Sequence, residues 1–324
     1  MGLCGCEFFS PKPDNENADN ENASQGLEYE SLGDGTCCVS GIGSCTDTDI
    51  VIPSTSPEGD IVTSIGDEAF YNCTGLTSVV IPDSVTSIGN SAFSYCSSLT
   101  SVEIPDSVTN IGDNAFSNCT GLSSVVIPDS VASISEGAFL YCDSLSSVVI
   151  PDSVTSIGDE AFFGCYRLTS VVIPNSVTSI GNLAFAWCDR LTSVEIPDSV
   201  TSIGELAFYS CSKLQFNKYE NCRYLGSKDN PYYALIEVTT QNMSSYTIHE
   251  DTKVIAGNVF FGCSKLTSIV IPDSVTSIGE GAFFYCNSLK DIYYTGSEAE
   301  WNAITIDPNN DWLKNVTIHY DYIH

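Results

Sequence analysis

The sequence predicts an α/β-type repeat solenoid, a curved array with one parallel sheet on its concave face and short helical turns on its convex side. Three observations lead there. Six uninterrupted copies of a 23-residue unit begin at Leu76, Leu99, Leu122, Leu145, Leu168 and Leu191. Each fits L-x-x-[VI]-x-I-P-x-S-V-x-x-I-x-x-x-A-F-x-x-C-x-x. The frame continues on both sides of these copies, giving twelve rungs that start at 47, 76, 99, 122, 145, 168, 191, 214, 243, 266, 289 and 313. A fixed period of this length marks stacked units, because one unit cannot bury its own apolar face.

Within a unit, Leu76-Thr77-Ser78-Val79-Val80-Ile81 is β-rich and Pro82 ends its ladder. Leu76, Val79 and Ile81 recur as apolar, so they point inward, while Thr77, Ser78 and Val80 point out. Stacked at about 4.8 Å per rung, the twelve triplets predict one sheet roughly 50 Å long. Val85 and Ile88 mark a second extended piece, and Gly89 supplies a turn. Ala92, Phe93 and Cys96 have the spacing of one helical turn. Bulky phenylalanines on that side space the rungs more widely than the strands opposite, hence the expected curvature.

The organisation follows the frame. Residues 1–26 read as a disordered acidic, Asn-rich leader containing the direct repeat Asp14–Ala18 and Asp19–Ala23. Residues 27–75 form an N-terminal cap and first expanded rung, 76–213 the six regular repeats, 214–242 an expanded rung with an insertion, and 243–324 the final repeats and C-terminal cap. Net charge is −30. A surface that acidic repels phosphate backbones and argues against a nucleic-acid partner. No apolar run approaches the roughly 18 residues of a membrane span, and no secretory leader is recognisable. The start, Met1-Gly2-Leu3-Cys4-Gly5-Cys6, resembles a dual-acylation signal on Gly2, Cys4 and Cys6, with Cys6 where Ser or Thr is favoured. Such lipid is the only membrane contact expected, and the location stays open between cytoplasmic and lipid-anchored.

The pattern resembles the BspA-type leucine-rich repeat family over residues 37 to 324, including Asn230-Pro231-Tyr232-Tyr233-Ala234-Leu235-Ile236 in the expanded rung and Tyr293-Tyr294-Thr295-Gly296 near the end. The resemblance implies a surface protein that adheres to matrix, cells or its own kind through the repeats. It implies neither catalysis nor a cofactor.

Nine of the fifteen cysteines form one column three residues after each Phe: Cys73, Cys96, Cys119, Cys142, Cys165, Cys188, Cys211, Cys263 and Cys286. Parallel side chains on stacked rungs suit buried free thiols better than disulfides. Cys37, Cys38 and Cys45 are left to pair within the cap. The aspartates after each Pro (Asp83, Asp106, Asp129, Asp152, Asp198 and Asp273) read as Asx-type turns, with a shallow calcium ladder as the alternative.

No phosphate loop, HExxH, GxSxG or CxxC occurs. A hidden enzyme would have to use the expanded rung or a pocket near Trp301, Trp312 and Tyr320. Two residues after the column cysteine, early rungs carry Gly or Ser, whereas later ones carry Arg167, Arg190, Lys213 and Lys265. Tyr141, Trp187 and Tyr209 flank that column, and aromatics with arginine are the residues interfaces favour. The expected partner is therefore a protein or an acidic or glycan ligand at this stripe. A purely structural spacer remains the competing reading.

Overall fold

The structure is a computed structural model describing residues 22–323; Gly2, Cys4 and Cys6, and the acylation reading with them, lie outside the described residues. The array is a solenoid of parallel strands stacked in sequence order. Each regular rung contributes two extended pieces, such as Ser78–Val80 and Ser87–Ile88. They meet at a corner closed by the Val85 N–H donating to the Pro82 carbonyl at 3.0 Å. The corner thus closes through backbone and not through an Asx turn at Asp83. Its serines serve the neighbouring rung, as where Ser107 Oγ donates to the Val85 carbonyl at 2.6 Å.

The expected single sheet is corrected to two ladders. One runs through Asp49–Val51, Ser78–Val80 and Ser101–Glu103, paired in parallel register. The other runs through Ile61–Ile65, Ser87–Ile88 and Asn110–Ile111, and resumes from Ser133–Ile134 to Ser202–Ile203. The second piece must pair because its apolar residues are buried and its amides need partners. The first ladder thins midway, where Ser170 and Ser193 share an isolated bridge. Column hydroxyls reinforce both ladders. Thr109 Oγ1 donates to the Thr86 carbonyl at 3.3 Å, and Thr192 Oγ1 to that of Thr169 at 3.2 Å.

The helical turns are also corrected: the segment after Gly89 is a staircase of tight turns. Alternate amides leave the rung. Those of Ser91, Phe93 and Tyr95 donate to Asp113, Ala115 and Ser117 on the next rung, each at 2.8 Å. The amides between them close turns within the rung, as Cys96 does onto Phe93 at 3.1 Å. A helix would keep every bond inside the segment. Here Ser91 and Tyr95 take φ of 53° and 63°, and the same two positions are left-handed in every regular rung. Among the described residues the one α-helix is Glu298–Trp301, in the C-terminal cap, started by a Ser297/Glu300 capping box.

The core is built of columns. Phe70, Phe93, Phe116, Phe139, Phe162, Phe185 and Phe208 stack nearly parallel, with centroids 5.1 to 5.6 Å apart. That step exceeds the strand spacing of about 4.8 Å, the condition for an array to curve toward its strands. The column thiols sit beside the phenylalanines, and all thirteen described cysteines are free, Cys37, Cys38 and Cys45 included. Each thiol donates to the Phe carbonyl one rung back, from Cys96 to Phe70 at 3.1 Å through Cys211 to Phe185 at 3.1 Å. Burial pushes the Cys96 and Cys211 thiols up to about 12. A further column alternates charge: Asn90 N–H donates to Asp67 Oδ1 at 2.6 Å, and Asp113 N–H to Asn90 Oδ1 at 2.8 Å.

The expanded rung departs from this plan. Asn217–Tyr219, Cys222–Leu225 and Ala234–Val238 form an antiparallel meander whose last strand joins Val254–Ile255 in parallel. It carries no turn staircase, so the rungs on either side touch across it, with Gly257 N–H donating to the Ile203 carbonyl at 2.9 Å. At the other end Glu28–Ser31 pairs antiparallel with Thr36–Gly41 and covers the array. Ser24, within the stretch read as leader, is buried and its Oγ accepts from Val51 N–H at 3.2 Å. No helix among the described residues is long and apolar enough to cross a membrane.

Candidate functional site

The two residues between a column cysteine and the next leucine are forced outward. Cys165 and Leu168 are both buried, and the Leu168 N–H donates to the Cys165 carbonyl at 3.0 Å, which leaves Tyr166 and Arg167 at the corner. Arg190 occupies the same corner one rung on. The two guanidiniums line a groove of about 500 Å³ together with Tyr166, Asp143 and Asp189, and Thr120 and Ser144 complete its walls. Neither arginine makes an ion pair among the described residues, whose four pairs within 4.0 Å lie elsewhere. Burial raises the Asp143 carboxyl above its usual range, and burial, followed by Tyr141 and the two aspartates, raises the Tyr166 hydroxyl.

Of the four basic residues in the column, Arg167 and Arg190 share this groove. Lys213 and Lys265 are exposed but lie outside this groove, with the expanded rung between them. The aspartates that share the groove follow Cys142 and Cys188 directly in sequence, which was the available signal for them.

Of the flanking aromatics, Tyr141 reaches the groove through Tyr166, whereas Trp187 and Tyr209 pair with each other outside its lining. Tyr141 meets Phe163 edge-on at 5.3 Å and lies 6.5 Å from Tyr166, and Trp187 meets Tyr209 edge-on at 6.3 Å. Trp187 and Tyr209 are each over two-fifths exposed. Tyr95, Tyr141 and Trp187 hold φ of 63°, 54° and 61°, a backbone region that costs bulky side chains about 1–3 kcal/mol.

Other concavities carry less chemistry. A groove of about 690 Å³ beside the expanded rung contains Arg223, but Glu237 neutralises it and the guanidinium also lies 5.5 Å over Phe216. The C-terminal hollow of about 520 Å³ includes Trp301 but neither Trp312 nor Tyr320, and no nucleophile–base pair lines it. No group of three or more metal-ligating side chains occurs among the described residues, the aspartate column included. On the first ladder Val126, Val149 and Val172 are exposed on successive rungs.

Among known proteins, the BspA-type leucine-rich repeat model matches residues 44–168, 132–230 and 231–305. A leucine-rich cell surface protein of Faecalibacterium prausnitzii is 30% identical over 88% of this chain and 97% of its own, with a TM-score of 0.38. A leucine-rich repeat protein of Bacteroides ovatus is 24% identical over 91% and 77%, with a TM-score of 0.47, and one of T. pallidum is 24% identical over 82% and 88%, with 0.43. No curated protein matches the chain. With its repeat model spanning most of the sequence, the chain belongs to the BspA-type leucine-rich repeat family.

Proposed function

We propose that the protein is a non-catalytic interaction scaffold and that its partner engages the turn side of the array at the Arg167–Arg190 groove. The observation that carries this is the pair of unpaired guanidiniums, one rung apart, on a chain of net charge −30. Elsewhere the molecule repels anions. In this groove two exposed guanidiniums without an ion pair, beside Asp143 and Asp189, are each capable of bidentate bonds to a carboxylate or sulfate. Membership in a repeat family supports a binding role over catalysis, as does the lack of a nucleophile–base pair in the grooves described.

A spacer would fit the uniform hydroxyl columns, but it gives no reason for aromatics held in left-handed backbone. The test replaces Arg167 and Arg190 by serine, the residue that Ser98 and Ser144 place at this corner on earlier rungs. Immobilised polyglutamate and polygalacturonate at low ionic strength serve as probes. The double variant should fold normally and lose at least tenfold in binding to one or both, with a weaker salt dependence than the parent chain. Equal binding by the two proteins would discard the groove.

A further inference from the structure

We infer that the ligand is an extended acidic polysaccharide lying along the solenoid axis, its sugar rings stacked on an aromatic row that repeats every second rung. The inference deepens the proposed function and rests on it.

The position two residues after each core phenylalanine reads Asn72, Tyr95, Asn118, Tyr141, Gly164, Trp187 and Ser210 in successive rungs. All seven are left-handed, with φ between 54° and 69°. Asn and Gly fit that backbone best, and a large aromatic fits it badly. The fold therefore does not ask for Tyr95, Tyr141 or Trp187, since the small residues between them close the same turn at lower cost.

At one rung the alternation has a steric cause. The Tyr141 ring overlies Gly164, where an added Cβ would meet its Cδ1 at 2.5 Å. Tyr95 and Trp187 are followed at the same position by the short side chains of Asn118 and Ser210, so the aromatics of this column stand two rungs apart. Beneath Tyr141 and Trp187 the core phenylalanines advance by two steps of 5.5 and 5.3 Å. The sum is close to the length of one disaccharide in an extended β-1,4-linked chain. Successive platforms would then meet the same face of every second sugar.

Charge selects the kind of polysaccharide. Tyr166 links the aromatic row to the groove, and Arg167 and Arg190 stand free to bind acid groups on the chain's flank. Asp143 and Asp189 accept hydrogen bonds from sugar hydroxyls, a contact that polyglutamate cannot offer. A second copy of the protein is a poor occupant, because two chains of −30 repel.

Titration calorimetry with β-1,4-linked oligomannuronates of graded length, and with neutral cello-oligosaccharides of the same linkage, tests the inference. Two double variants are compared with the parent chain: Tyr141→Asn with Trp187→Asn, and Arg167→Ser with Arg190→Ser. Each substituted residue already stands at the matching position of another rung, so folding survives, as circular dichroism would verify. The expected result is binding to the oligomannuronates, at least tenfold tighter once the oligomer is long enough to span Tyr141 and Trp187. Both variants should lose at least tenfold, and cello-oligosaccharides should bind least. Loss in the arginine variant alone would overturn the axial glycan while leaving the groove standing. So would binding to polyglutamate without binding to the oligomannuronates.

Discussion

The regular array from Leu76 to Lys213 and the expanded rung from Leu214 to Asn242 order their chains by different means. In the array every contact is one member of a column: Phe on Phe, thiol on the carbonyl one rung back, hydroxyl on carbonyl. In the expanded rung the contacts are individual. The Tyr233 hydroxyl lies 2.9 Å from the Asp198 carbonyl and 3.0 Å from that of Val200, and the His249 ring stacks on Tyr232 at 3.8 Å. The lesson is that stability in the array is a sum over near-identical interfaces. At the junction it depends on a few side chains with no substitute.

The largest expected effect separates these regions by pH. Burial raises the column thiols from the usual 9.0, to about 12 for Cys96 and Cys211 and upward for the more deeply buried Cys119, Cys142 and Cys188. The unfolded chain loses these protons first. Their contribution to stability is complete below about pH 9 and falls as pH rises from there toward 12. Cys222 is the corresponding buried thiol in the expanded rung, pushed up to about 12. Hydrogen exchange read residue by residue should therefore show 76–213 opening first and cooperatively above pH 9. Opening that began in the expanded rung would break the comparison.

Next in size is a cavity in the phenylalanine column. Phe162 is stacked on both faces and Phe208 on one. Phe162→Ala should cost about 3–5 kcal/mol in urea unfolding and Phe208→Ala less. Equal losses would show that the rings act singly. The smallest effect belongs to the junction. Tyr233→Phe should cost about 1–2 kcal/mol by removing the hydroxyl that joins the meander to the rung before it. The added exchange should be confined to residues after Leu214; spread through the whole array would show that the junction is as collective as the rest.

The columns were legible in the sequence because each recurs in one frame, and a column conserved in phase can only be a stack. The helical turns were misread for a definite reason. Ala92, Phe93 and Cys96 face inward at the same spacing whether the segment is a helix or a staircase. The distinguishing signal lay in their neighbours. Asn72, Asn118, Gly164 and Gly262, with Asn114, Gly137 and Gly281, are residues suited to left-handed backbone. The second ladder was half legible, since Val85 and Ile88 marked an extended piece whose pairing needed the rung's path in space. The arginines stood out as a column, yet their grouping with Tyr166, Asp143 and Asp189 depends on how adjacent corners face one groove.

The glycine under Tyr141 also bears on how such an array can change length. Tyr95, Tyr141 and Trp187 are spaced by 46 residues, as are Asn72 and Asn118, and Asp143 and Asp189. Removing one 23-residue copy would bring a bulky ring over another bulky ring or leave a gap in the row. Removing two would keep the aromatics of this column two rungs apart. An array of this kind keeps its aromatic row in phase when it changes length by pairs of rungs, although its folding unit is one.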